Sequence, residues 1–285
     1  MTGAGPGVLT VANQKGGVGK TTTTVNLAAA LTHMENRVLV VDLDSSSTAT
    51  AVLLGVDADV KHTVDDVLAP NGSLRPEDAR AAVVPSRWPG VDVLPSDFSL
   101  AERDQDGDVL QERLGTALGH LEEYDWALID APPHLGRLLG SAVLASDSVL
   151  LVTEPAAVSF YGLAHLRRTM HAIGEGYGHR VDIAGIAVNK VQTGTVAHRA
   201  ALRRLWEEHG DHILGLIPQR VPIAEALNSG VSLYALASTS RGRSAAMLAQ
   251  EYEHLAARLI GLPAPPVALP FDTSEAARAA ESDAS

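Results

Sequence analysis

Short apolar runs alternate with amphipathic stretches along most of the chain. Val8–Ala12, Arg37–Asp42, Trp126–Asp130, Ser148–Thr153, Val181–Asn189 and Ile213–Ile217 are predicted strands. Thr21–Leu31, Phe160–Ile173, Ala197–His209 and Ser244–Leu259 carry helical spacing. The strands are continuous apolar runs, VLVV and SVLLV among them, rather than alternating ones. A sheet covered on both faces requires that pattern, so the sheet is expected to be mainly parallel. Strand–helix alternation then predicts a doubly wound α/β fold with helices on both faces. From Lys61 to Asp108, Gly, Pro and Asp break the pattern, and Ala81–Val84 and Val91–Leu94 read as short strands among loops. From Leu262 the sequence LPAPPVALPFDTSEAARAAESDAS is rich in Pro, Ala and acidic residues. Residues 1–262 are therefore expected to form one domain, and residues 263–285 a mostly disordered tail.

Composition narrows the chemistry. The 285 residues are enough for one large core, and 46% are hydrophobic but only 4% aromatic, so Val, Ile, Leu and Ala must fill it. The absence of cysteine excludes disulfides, thiolate zinc sites and Cys-ligated iron–sulfur clusters, and agrees with a reducing cytoplasm. Met1–Gly7 has neither a basic nor a long apolar stretch, so no secretory signal is expected. No run approaches the ~20 apolar residues of a membrane span. His33, His62, His120 and His134 show no ligand spacing. A net charge of −12 argues against nucleic-acid binding by the chain as a whole, but not against a local basic patch.

The segment VANQKGGVGKTTTTVNLAAAL places a glycine-rich turn, with Gly16, Gly17 and Gly19, between a buried strand and a helix opened by Lys20 and Thr21. Glycines let backbone N–H groups approach phosphate oxygens, and the helix N-terminus adds partial positive charge there. In such a phosphate loop Lys20 reaches the β- and γ-phosphates of ATP, and the Thr21 hydroxyl ligates Mg2+. The general pattern G-x-x-x-x-G-K-[ST] wants Gly where this chain has Gln14.

Two carboxylate segments follow. VLVVDLDSSSTAT ends a predicted strand with Asp42 and Asp44, which share a strand face at the ligand edge of a parallel sheet. The same Asp and Ser residues also suit a helix N-cap, with Ser45–Ser47 as caps, and both readings can hold together. YDWALIDAPPHLG ends another strand with Asp130 before a Pro-Pro turn.

KGGVGKTT, Lys15–Thr22, resembles the deviant Walker A motif of the ParA/MinD ATPases, and Gln14 before it resembles the ParA branch. The resemblance runs over about residues 8–260. It implies nucleotide contacts from Lys15, Gly16, Gly17, Val18, Gly19, Lys20, Thr21 and Thr22, with Lys15 crossing a dimer interface to phosphates on the other subunit. The second segment is similar to the family's D-x-D-P-Q-x-x-A-T motif, implying that Asp44 orients the attacking water and Asp42 supports the metal. Ser45 and Ser46 stand where Pro and Gln usually stand, which bears on the switch conformation and the hydrolysis rate. Asp130 matches the Walker B aspartate near Mg2+, with His134 where the family often has Ser. Asn189 in VNKVQT and Pro218 in IPQRVPIAEA match positions beside the base.

Family resemblance further implies an ATP-bound homodimer that holds double-stranded DNA without sequence preference. It also implies a cytoplasmic, nucleoid-associated location and a ParB-like partner that stimulates hydrolysis. Lys and Arg contacts to phosphates carry such binding. Arg199, Arg203, Arg204, Arg220, Arg241 and Arg243, gathered in the C-terminal half, are the candidates: each singly reads as a solvated charge, but as a group they are expected to form a basic patch, and Arg199 and Arg203 share a helix face. A MinD-like membrane role needs a basic amphipathic C-terminal helix, which the tail lacks. The nitrogenase-reductase type needs cysteines, and the tyrosine-kinase type ends in tyrosines, whereas no Tyr follows Tyr252. A positioning ATPase with another cargo, and a metabolic P-loop enzyme, remain as alternatives; Lys15 speaks against the latter.

Overall fold

A computed structural model describes residues 5–69, 74–105, 109–156, 159–239 and 242–271. Its centre is an eight-stranded sheet, built from β1 (Gly7–Ala12), β2 (Val38–Asp42), β3 (Val84–Pro85), β4 (Val91–Leu94), β5 (Trp126–Asp130), β6 (Ser148–Thr153), β7 (Asp182–Val191) and β8 (Ile213–Pro218). The strand order is β3-β4-β2-β5-β1-β6-β7-β8, and every pairing is parallel except β3 with β4. The expected doubly wound, mainly parallel fold is present. The six longer strands fall within two residues of their predicted bounds, because each reads as an apolar run; the central ones are buried on both faces, whereas the edge strand β8 alternates buried and half-buried residues.

Helices cover both faces. On one lie α1 (Lys20–His33), α2 (Thr48–Leu54), α8 (Val221–Asn228), α9 (Leu233–Ala237) and α10 (Gly242–Leu259), packed on Leu9, Val11, Val38, Val40, Leu128 and Val152. On the other lie α3 (Val64–Leu68), α4 (Val109–Gly119), α5 (Arg137–Ala145), α6 (Ser159–Gly176) and α7 (Val196–His209). They pack on Val8, Leu39, Val41, Ile129, Val149 and Leu151, the alternate residues of the same strands. Helix α1 is buried nearly all round, from Thr23 to Leu31, because it is covered by α10 as well as by the sheet.

Two expectations change. Ala81–Val84 is not a strand: a 3-10 helix occupies Pro76–Ala82, burying Ala79 and Ala82 three residues apart, and only Val84 and Pro85 pair with β4. The composition shift at residue 263 does not coincide with a loss of packing either. Val267, Leu269 and Phe271 lie against the cluster that holds Leu202, Leu205 and Ile213, and Arg258 donates to the carbonyl of Pro265. The rest of the predicted tail, residues 272–285, lies outside the described residues. Among the described residues no helix is long and apolar enough to cross a membrane.

Candidate nucleotide and metal site

The chain reverses direction across the sheet at β1, which sits between β5 and β6. In such sheets the crevice at the carboxyl ends of the strands is the ligand site. That edge gathers the predicted residues: Lys15–Thr22 after β1, Asp42 and Asp44 at β2, Asp130 at β5, Asn189 in β7 and Pro218 at the end of β8.

The loop after β1 has the form a phosphate needs. Helix α1 begins at Lys20 with no acidic residue in its first turn and no side chain capping it, so its first amides face outward without a competing anion. A Cβ on Gly16 or Gly17 would meet nothing within 4 Å, which leaves the loop open to a ligand. Gly19 is different: its φ is +96°, and a Cβ there would lie 2.5 Å from Asn189 Nδ2. Asn189 is buried, and its Nδ2 donates to the carbonyls of Val18 and Gly19, each at 3.1 Å, and to Thr23 Oγ1 at 2.9 Å. Lys20 is buried as well; burial pulls its ammonium below the ordinary lysine value, against the opposing pull of Asp130 and Asp44.

Four oxygen-bearing side chains, those of Thr21, Thr24, Asp42 and Asp130, converge behind the phosphate loop. Thr21 Oγ1 donates to Asp130 Oδ2 at 2.6 Å, and Thr24 Oγ1 lies 3.2 Å from Asp130 Oδ1. Asp42 stands in register with Asp130 across β2 and β5, and both are fully buried. Burial pushes both carboxyls well above the usual carboxylate range; for Asp130 the charge of Asp42 adds to the rise. A bound cation relieves such a pair. Among the described residues no group of three His, Asp or Glu could hold a metal alone. Mg2+ does not require one, since it takes one or two protein oxygens plus phosphate oxygens and water.

Asp42 also has a task the sequence reading gave to the serines. Its Oδ2 accepts from the backbone N–H of Thr50 at 2.8 Å and from Thr50 Oγ1 at 2.7 Å, while Oδ1 accepts from the N–H of Asp44 at 3.2 Å. The first turn of α2 is thus capped from the end of β2. Ser47, at the N-cap position, has φ +52° and makes no capping bond. Asp44 Oδ1 accepts from the N–H of Ser46 at 2.9 Å, and the carboxyl stays partly exposed at the edge of the site.

A cavity of about 440 Å³ opens next to the loop, lined by Gly19, Thr22, Asn189, Lys190, Pro218 and Ile223 among others. Asn189 lines it, and its Oδ1 is buried without a hydrogen-bond partner among the described residues. An orphaned acceptor beside an apolar slot suits the amino group of a nucleobase. The donor-rich loop, the paired carboxylates and this slot together fit a nucleoside triphosphate with Mg2+.

The arginines are not brought into one patch. Arg199, Arg203 and Arg204 lie on α7, whereas Arg243 opens α10 on the opposite face of the sheet. Arg220 is the N-cap residue of α8 at the cavity. Arg199 donates to the carbonyl of Thr193, Arg204 pairs with Glu208, and Arg203 stacks on Phe271. Arg241 lies outside the described residues. Sequence reasoning missed Glu154 and Lys190, which contact the loop, and had Thr50 only as the end of the second motif, not as the partner of Asp42. An acidic residue directly after a predicted parallel strand, as in LVTEP, was the available signal for Glu154.

The family model of the AAA domain matches residues 7–183. Over 240 residues the chain is 31% identical to the sporulation initiation inhibitor protein Soj of Bacillus subtilis, covering 82% of this chain and 93% of that protein. It is 32% identical over 238 residues to the chromosome partitioning protein ParA of Caulobacter vibrioides, covering 80% and 87%. The structure superposes with a TM-score of 0.73 on cobyrinic acid a,c-diamide synthase from Mycobacterium smegmatis with bound ATP analogue and magnesium, at 25% identity, covering 92% of this chain and 100% of the other. Sequence, fold and site agree: the chain belongs to the AAA-domain family and, within it, to the ParA/MinD-type P-loop ATPases.

Proposed function

We propose that this chain is an ATP- and Mg2+-dependent ATPase that closes as a homodimer on ATP, binds double-stranded DNA without sequence preference and positions DNA cargo. The observation that carries the reading is the open loop Lys15–Thr22 facing Asp44 and Asp130 at one sheet edge, in a chain similar to Soj and ParA. Gly16 to Thr22 cradle the phosphates, and Lys20 neutralises the β- and γ-oxygens. Thr21 and Asp130 would hold the metal, and Asp42 fixes the loop that carries Asp44. When bound, Mg2+ offsets the charge that builds on the transferred phosphoryl group. Asp44 orients the attacking water. Lys15 reaches the partner subunit's nucleotide, so that ATP bridges the dimer and stabilises it by linkage. Asn189 Oδ1 and Pro218 fix the base. A ParB-like centromere-binding protein accelerates hydrolysis and so releases DNA, and the protein works in the cytoplasm on the nucleoid.

The arginines of α7, together with Arg220 and Arg243, supply phosphate contacts from more than one face of the closed dimer. Binding to random-sequence duplex DNA with ATP, ADP or no nucleotide, at two salt concentrations, tests the reading. The expected result is binding with ATP only, weakened by salt. DNA binding absent in every state, with ATP-dependent dimerisation intact, overturns the DNA role.

A second reading rests on the cobyrinic acid a,c-diamide synthase likeness: a metabolic P-loop enzyme that couples ATP to a carboxylate substrate. Nucleotide turnover that needs a small carboxylic acid and ignores DNA would favour it.

A further inference from the structure

Glu154, the residue after β6, faces two ammonium groups. Lys15 Nζ is ion-paired with its Oε1, and Lys190 Nζ lies 3.5 Å from its Oε2. Lys190 also donates to the carbonyl of Gly17 in the phosphate loop. Its backbone has φ +55°, a left-handed conformation uncommon for a residue with a side chain. The Glu154 side chain keeps 18% of its surface, whereas Lys15 and Lys190 keep 47% and 43%. Burial pushes the Glu154 carboxyl up, yet the two lysines outweigh it and hold the group below its ordinary value. The backbone of Lys15 is tied to the same place: its N–H bonds Asn13 Oδ1 at 2.7 Å, and Asn13 donates to the carbonyl of Val152 on β6.

Lys15 is thus turned onto its own subunit. We infer that Glu154 is a positioning residue for Lys15: it holds this lysine in cis in the nucleotide-free monomer and yields it only when a partner subunit offers ATP phosphates as the replacement anion. The inference rests on the reading that Lys15 acts across the dimer. One carboxylate shared by two lysines suits an exchange. When Lys15 leaves, Lys190 remains beside Glu154, so the exchange strands no unpaired buried charge. The latch is also weak enough to open, since a largely exposed ion pair contributes little. A triphosphate of higher charge, in a site closed to water, outcompetes it. The effect is to make the dimer depend on nucleotide rather than on protein concentration alone.

Dimerisation measured by analytical ultracentrifugation with a non-hydrolysable ATP analogue, in wild type, Glu154→Gln, Glu154→Asp, Lys15→Gln and Lys15→Gln with Glu154→Gln, tests it. Glu154→Gln is expected to dimerise at a protein concentration roughly 4- to 25-fold lower than wild type, the square of the roughly 2- to 5-fold factor of one exposed ion pair, because each dimer releases two. Glu154→Asp should restore wild-type behaviour at least in part, and the double variant should behave as Lys15→Gln. A folded Glu154→Gln protein that dimerises like wild type or more weakly, while Lys15→Gln stays monomeric, overturns the latch alone. A Lys15→Gln protein that dimerises normally overturns the cross-subunit role of Lys15, and the latch with it.

Discussion

Asn189 pins Gly19: the amide at the end of β7 donates to the Gly19 carbonyl at 3.1 Å, and a Cβ on Gly19 would come within 2.5 Å of that same nitrogen. The contact joins β7 to the N-terminus of α1 and leaves room for no side chain. Gly19→Ala therefore suffers twice, from the positive φ and from the clash, and should lose nucleotide binding altogether. Asn189→Ala removes the donor to Val18, Gly19 and Thr23. It should cost about 1–3 kcal/mol of stability and weaken ATP at least tenfold. Calorimetric titration with an ATP analogue, beside a thermal melt of each variant, separates the two effects.

Asp44 should be separable from the fold. Its carboxyl is partly exposed and accepts from the N–H of Ser46 within its own loop, whereas Asp42 caps α2 and is fully buried. Asp44→Ala is expected to melt within about 1 kcal/mol of wild type, to bind ATP and dimerise, and to turn over at under a tenth of the wild-type rate. Full turnover by that variant would remove the role given to Asp44. Lys20→Ala should instead lose nucleotide, as read by the same titration.

What was legible in the sequence follows from how local each signal is. Strands β2, β5 and β6 showed themselves because burial on both faces leaves uninterrupted apolar runs, and the phosphate loop because its glycines and Lys20 are contiguous. The cap of α2 was misassigned to Ser45–Ser47 because its acceptor, Asp42, lies eight residues before Thr50. Glu154 shows in the sequence only by its place after a strand, because its partner Lys15 is 139 residues away and the β1–β6 pairing brings them together. The six arginines read as one group along the chain, yet the sheet separates α7 from α10.

The Asp42–Asp130 pair makes a pH prediction. Burial raises both carboxyls in the folded state, so the folded protein binds more protons than the unfolded one above the ordinary carboxylate value of ~4. Their contribution to stability is therefore lost as pH rises from that value towards neutrality. The nucleotide-free protein should melt higher at mildly acidic pH than at pH ~8, and Mg2+ with ATP should reverse the order by neutralising the pair. Asp130→Asn removes one buried charge. It should stabilise the nucleotide-free protein by on the order of 1–2 kcal/mol at neutral pH, flatten the pH profile, and abolish the stabilisation by Mg2+ with ATP. A wild-type melt that is flat with pH would show that the pair does not carry this charge.

The strap after α10 is a test of where the domain ends. By composition residues 263–271 belong with the Pro- and Ala-rich tail, but Val267, Leu269 and Phe271 pack against the core between α7 and β8. The Phe271 ring also lies 5.6 Å from the Arg203 guanidinium. Partial burial of three apolar side chains contributes about 2–4 kcal/mol. Truncation after Leu262 should accordingly lower Tm by on the order of 5–10 °C, with ATP binding retained, because neither the phosphate loop nor the Asn189 cavity uses the strap. Phe271→Ala should reproduce a fraction of that loss, and since Arg203 then loses its ring partner, it should also alter DNA binding if α7 takes part in it. A truncated protein that melts with the wild type would place the end of the domain at Leu262.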